Sequence, residues 1–148
     1  MMIKYLFILL VLMGCNQLNK SRAPDGYYLM RFTGEGINLF HFKSNGEYVA
    51  YHKSNFLFHK TIGDYEMKKD TVIMIDRFVH DIFGSEPTGG NETIFVYNPT
   101  DERISYPILD GLLWLNKIDS LTQQHILMIE KLDDLNNDAS SPTRKSSR

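Results

Sequence analysis

The sequence predicts an all-β domain of antiparallel strands, and three observations predict it. From Tyr27 to Asp76, short aromatic and β-branched runs alternate with turn residues, the layout of strands joined by tight turns. Ser44-Asn45-Gly46 lies between two such runs, and Asn-Gly is a strong hairpin signal because both residues tolerate positive φ. A single cysteine in 148 residues leaves no internal disulfide, so the domain has to be stable through burial of its aromatic residues.

The chain opens with one positive charge at Lys4 and an uncharged apolar run, Tyr5 to Met13, that stops at a small residue. That is the plan of a secretory signal, and the run is far shorter than the roughly 20 residues a bilayer-spanning helix needs. Leu12-Met13-Gly14-Cys15 resembles the lipobox of bacterial lipoproteins, with Met13 standing where a smaller or β-branched residue is commoner. The resemblance implies that residues 1–14 are removed, that Cys15 takes a diacylglycerol and a further acyl group such as palmitate, and that these chains hold the protein on a membrane far beyond the grip of one chain. Asn16 is not the aspartate associated with inner-membrane retention, and no acidic surface-display cluster follows. The expected address is therefore the outer membrane, facing the periplasm.

Removal of the signal takes away only one charged residue, Lys4, so the mature chain is one unit more acidic than the −2 of the full chain. This balance argues against nucleic acid as a partner. The length suits one domain and not two. Residues 15–26 are polar and aperiodic and read as a tether, 27–132 as the folded domain, and 133–148, nearly free of apolar residues, as a disordered tail.

Taken in order, Tyr27 to Thr33 is the first strand, stopped by Gly34-Glu35-Gly36. Ile37–Lys43 and Glu47–His52 flank the hairpin turn. If Asn45 and Gly46 are the two loop residues, Phe42 faces Val49 and Phe40 faces Tyr51, while Lys43 meets Tyr48, His41 meets Ala50 and Leu39 meets His52. The first face is wholly apolar or aromatic, which assigns Phe40, Phe42, Val49 and Tyr51 to the core. Phe56–Lys60 is a short strand and Gly63 a bend. Asp64–Lys68 leads through Lys69-Asp70 into Thr71–Asp76, which can continue to Phe83. Glu92–Asn98 is its expected partner across the polar loop Gly84–Asn91, long enough to carry contacts. Ile104–Ile108 is a short edge strand, and Leu112–Ile118 a strand holding Trp114. Ser120 to Leu132 is ambiguous: Ser120 with Gln123 would make a helix capping box, yet Ile126-Leu127-Met128-Ile129 is a continuous apolar run that periodicity cannot assign.

Phe40 to Tyr48, then Gly63-Asp64-Tyr65 with Lys69-Asp70-Thr71-Val72, then Ile118-Asp119-Ser120-Leu121-Thr122 before an apolar run, resemble the lipocalin-like lipoproteins of Bacteroidota. The resemblance spans roughly residues 26 to 132. It implies a small antiparallel barrel of about eight to ten strands and reads His125–Leu132 as the last of them, although relatives often carry a helix at this end.

Little else in the sequence points to chemistry. His41, His52 and His59 are close in sequence, and the register above puts His41 and His52 diagonally on one face. There is no His-x-x-x-His and no cysteine pair, so rim positions are expected and no metal site is assigned. Asp64, Glu66, Asp76 and Asp81 have no spacing that forces a catalytic pair, and neither a nucleophile elbow nor a phosphate-binding glycine loop occurs. No catalytic residue and no cofactor is assigned, and an enzyme is the least expected class. Small barrels either fill their interior or hold one small ligand. Phe40, Phe42, Val49, Tyr51, Phe58, Phe95 and Trp114 are therefore the candidates for core or for the lining of an apolar cavity. The leading expectation is non-covalent binding of a small apolar ligand. Its rival is an accessory lipoprotein in envelope assembly, holding an envelope protein through the loop Gly84–Asn91 or a sheet edge.

Overall fold

The computed structural model describes residues 23–31, 36–55, 57–81, 83–107 and 113–139. The signal segment, Cys15, most of the expected tether and residues 140–148 lie outside the described residues. Nine strands occur among them: β1 (Gly26–Arg31), β2 (Gly36–Phe42), β3 (Glu47–Ser54), β4 (Phe58–Lys68), β5 (Thr71–Asp81), β6 (Gly84–Pro87), β7 (Glu92–Asn98), β8 (Arg103–Ser105) and β9 (Trp114–Ile118), followed by helix α1 (Gln123–Ala139). Every pairing is antiparallel. Eight strands close a ring in the order β1-β2-β3-β4-β5-β7-β8-β9, with β9 returning to β1. The expected all-β barrel is thus the fold.

The Asn-Gly hairpin forms in a register one residue away from the expected one. Phe42 pairs with Tyr48, Phe40 with Ala50 and Leu39 with Tyr51. The reason is the turn. Gly46 N donates to Lys43 O at 3.1 Å, Lys43 N donates to Glu47 O at 2.9 Å, and Gly46 takes φ +86°. Glycine follows the turn in the left-handed region instead of occupying its centre, which is the three-residue loop with a bulge. A slip of one residue sends alternate side chains to opposite faces. Phe40, Phe42, Tyr48 and Ala50 therefore face the barrel interior, while Leu39, Val49 and Tyr51 lie on the outer face. His41 and His52 are separated in the same way: His41 stacks on Tyr27 outside, and His52 stands inside against Phe40.

Both hairpin faces are buried because the outer one is covered. The segment expected as a last strand is helix α1, whose Met128, Ile129 and Leu132 pack on Leu39, Val49 and Tyr51. Its start is set two residues later than Ser120. His125 N donates to Thr122 Oγ1 at 3.4 Å and Thr122 N to His125 Nδ1 at 3.3 Å. This is a reciprocal cap with histidine in the place usually held by Glu or Gln. The helix continues to Ala139, so the expected tail is helical over its first seven residues. One cause is an ion pair: Lys60, 4% exposed on the outer face, reaches Asp133 at 2.8 Å.

Strand β5 runs to Asp81 as expected, but its two halves have different partners. Thr71–Ile75 pairs with β7, and Phe78–Asp81 with β6, a strand inside what the sequence offers as loop. Between the halves sits a bulge. Ile62 pairs with Phe78 and Gly63 with Asp76, leaving Arg77 as the extra residue. A Cβ on Gly63 would stand 2.3 Å from Ile75 O and 2.5 Å from the Tyr48 ring, so no larger residue fits. At the end of the barrel that bears the 43–46, 69–70 and 99–102 turns, Pro24 is buried and its carbonyl lies 2.9 Å from Tyr65 Oη. The chain enters the barrel there.

Substituting Gly63→Ala should lower stability by about 2–4 kcal/mol, since backbone as well as ring must shift. A urea midpoint within error of wild type would show that the bulge relaxes freely.

Candidate functional site

Most of the barrel interior is filled. Phe42 is fully buried and meets Tyr28 and Tyr65 edge-on at ring distances of 5.3 and 5.1 Å, closing the end where the chain enters. Of the residues singled out in the sequence, Phe40, Phe42 and Phe95 face this interior. The other four do not. Val49 and Tyr51 are buried beneath α1, and Phe58 lies beside them on the outer face with Lys131 Nζ 4.2 Å from its ring centre. Trp114 alternates with the buried Leu115 and therefore points outward, where Arg103 lies 5.7 Å from its ring. The alternation of β9 carried that answer. The placement of Val49 and Tyr51 did not follow from pattern, because the segment read as a last strand is a helix whose cover makes both faces of β3 apolar.

Among the described residues a pocket of about 170 Å³, partly open to solvent, lies inside among β2, β3, β4, β5 and β7. Phe40, Ala50, Met74 and Phe95 form its apolar part; Tyr48, His52, Thr61, Asp76 and Thr93 supply polar groups. His52 and Thr93 stand near the strand ends opposite the chain entry. The sequence reading left Thr61 and Thr93 out and placed Asp76 among four carboxylates whose spacing forces no pair. Only the bulge register, which sets Asp76 beside Gly63 and behind Tyr48, brings it here.

Asp76 is held at three points. The Tyr48 hydroxyl donates to its Oδ1. Its backbone N donates to Asn91 O at 2.9 Å, and its carbonyl accepts from Thr88 Oγ1 at 2.6 Å. The loop after β6 thus makes contacts, and they are internal ones that fix the pocket carboxylate. The Tyr48 hydroxyl is pushed above the ordinary tyrosine range, first by burial and then by its bond to Asp76 and that group's charge, so it stays a donor. Arg77, next in the chain, turns outward and bridges Glu47 and Asp64 at 3.0 Å each.

His52 lies 2.7 Å from Asn38 Oδ1 through Nδ1 and stacks on His59 at 4.3 Å. Asn38 Nδ2 points to Met30 Sδ at 4.0 Å, which assigns Oδ1 as acceptor and the proton to His52 Nδ1, leaving Nε2 as an acceptor. Burial, then the neighbouring His59, lowers His52 to about 4. Burial also lowers His59, opposed by Asp81, and His59 Nδ1 is buried with no hydrogen-bond partner. The pocket therefore presents the Asp76 side chain, a neutral His52 imidazole and three hydroxyls over an aromatic floor. Among the described residues no group of three or more His, Cys, Asp or Glu side chains could hold a metal ion, and no helix is long and apolar enough to cross a membrane. No family model, curated protein or solved structure matches the chain.

His52 gives stability a definite pH dependence. The folded state keeps it neutral down to about pH 4 while the unfolded chain takes a proton near 6.5. Its contribution is full above that value and is lost as pH falls through this window, by about 3 kcal/mol at most. His59 adds the same sign. Urea unfolding at pH 7 and pH 4.5 should show the loss, and His52→Gln should flatten the slope even if it weakens the fold at pH 7. An unchanged slope in that variant would remove His52 as the source.

Proposed function

We propose that the protein is a lipid-anchored envelope protein whose barrel binds a small, ring-sized molecule without covalent chemistry. The observation that carries the binding reading is the pocket of about 170 Å³ with an aromatic floor and polar side chains. A cavity of about 150 Å³ accepts benzene, so one ring with a polar substituent is the scale of the ligand. A long acyl chain or a fused-ring lipid is too large. Compared with the apolar ligand expected from the sequence, the ligand becomes smaller and acquires a polar edge, because five of the nine lining residues can hydrogen-bond.

Attachment rests on Leu12-Met13-Gly14-Cys15 and on its position at the end of the apolar run. Two acyl signals give an anchor that one chain does not. The chain enters the barrel beneath Tyr65 at the end opposite His52 and Thr93, an arrangement that suits a pocket turned away from the bilayer, with the outer membrane's periplasmic face as the proposed address. A second reading has a specific observation behind it. Ile94 and Val96 stand side by side on the outward face of β7, 45% and 39% exposed, and Phe83 at the β5–β6 tip is 87% exposed. These residues suit an accessory role in which an envelope protein docks on β7.

Labelled palmitate should enter the wild-type chain and not Cys15→Ala; equal labelling of both would refute the anchor. For the pocket, ligand-observed NMR against single-ring fragments should detect binding to wild type that Ala50→Leu abolishes. That variant puts a larger side chain into the space, at a stability cost of about 1–3 kcal/mol. Fragments that bind both equally would sit elsewhere, and co-purification of one envelope protein whose hold is lost in Ile94→Lys would favour the second reading.

A further inference from the structure

The pocket carries an unbalanced charge. Tyr48 occupies Oδ1 of Asp76, and among the described residues the second carboxylate oxygen has no hydrogen-bond or ion-pair partner. The nearest cation in sequence, Arg77, is engaged outside the barrel by Glu47 and Asp64, and no Lys or Arg lines the pocket. His52, in its deprotonated form, brings an acceptor and no positive charge. A carboxylate with one oxygen open to the pocket and no cation beside it offers an incoming cation a charge-assisted hydrogen bond. Phe40 and Phe95 line the same space, and aromatic residues favour a cation that carries apolar surface.

We propose that the pocket selects a small ring-bearing cation, an arylalkyl ammonium or a protonated nitrogen heterocycle, with its N–H groups on Asp76 and its ring between Phe40 and Phe95. This rests on the pocket-binding reading above and adds the charge of the ligand to it. The neutral counterpart would lose the charge-assisted bond, and the anionic one would meet Asp76 directly. The Thr61 and Thr93 hydroxyls and His52 Nε2 provide further acceptors for a multiply donating nitrogen.

The test uses three probes of one shape. Benzylamine, benzyl alcohol and benzoate are titrated at pH 7 into the full-length protein in detergent, with detergent alone as blank. Benzylamine should bind about tenfold more tightly than benzyl alcohol, and benzoate most weakly. In Asp76→Asn, whose side-chain oxygen still accepts from Tyr48, that preference should vanish while benzyl alcohol changes by less than about threefold. Equal affinity of amine and alcohol for wild type, or a preference that survives in Asp76→Asn, overturns the charge selection and leaves the pocket reading standing. Failure of all three probes to bind overturns both. If Asp76→Asn does not fold, the wild-type ranking alone decides.

Discussion

Closure of the barrel and the shape of its pocket both depend on the contact between Gly63 and the Tyr48 ring. The two residues are cross-strand partners, and the missing Cβ lets the ring lie on the β4 backbone where any side chain would collide. An aromatic laid over a glycine restores the packing that the glycine lacks. The bend at this point lets one long strand, β5, continue the barrel with β7 and then leave it with β6. It also sends the Tyr48 hydroxyl to Asp76. Curvature, closure and the position of the only pocket carboxylate are therefore one local solution, and a change in any of the three residues propagates to the others.

Helix α1 explains why the sheet departs from simple alternation. An antiparallel sheet with one wet face alternates apolar and polar residues, yet β3 is buried at four successive positions, Tyr48 to Tyr51. Two layers meet there: the barrel interior on one side and α1 on the other. The Thr122–His125 cap fixes where the helix starts, and the Lys60–Asp133 pair ties its middle to the sheet. Lys60 is the more telling of these. A lysine this buried on a sheet face is tolerable only with a partner, and that partner comes from a turn of helix the composition alone marks as tail.

The strand pattern, the hairpin, the pairing of Thr71–Ile75 with β7 and the bend at Gly63 are legible in the sequence because each depends on neighbours in the chain. The hairpin register is not, since Asn45-Gly46 fits both a two-residue turn and the longer loop with a bulge, and the two differ by one residue. That difference moved Val49 and Tyr51 from interior to exterior and divided the histidines. The helix stayed ambiguous against a last strand because residues 126–129 are uniformly apolar, and its true cap was missed because the partner of Thr122 is a histidine instead of the usual Glu or Gln. Of the site, Phe40 and Phe95 could be found by alternation. Asp76 could not, because its inward direction comes from a bulge in β5 whose cause, Gly63, lies on another strand.

The two ends of the barrel follow different physical rules. At the chain-entry end, aromatic rings meet edge to face and Tyr65 ties down the carbonyl of Pro24, so void is minimised even though the buried Tyr28 hydroxyl has no hydrogen-bond partner. Toward the other end the opposite choice appears: a space is left open, two histidines are stacked and held neutral against their ordinary behaviour, one buried ring nitrogen has no partner, and a carboxylate lacks a cation. Each of these costs stability in a chain with no disulfide to spare. A filled apolar core of the kind present a few residues away would avoid them all. The contrast between the ends is therefore one of packing: rings fill one end, and a space with polar side chains in its lining is kept toward the other.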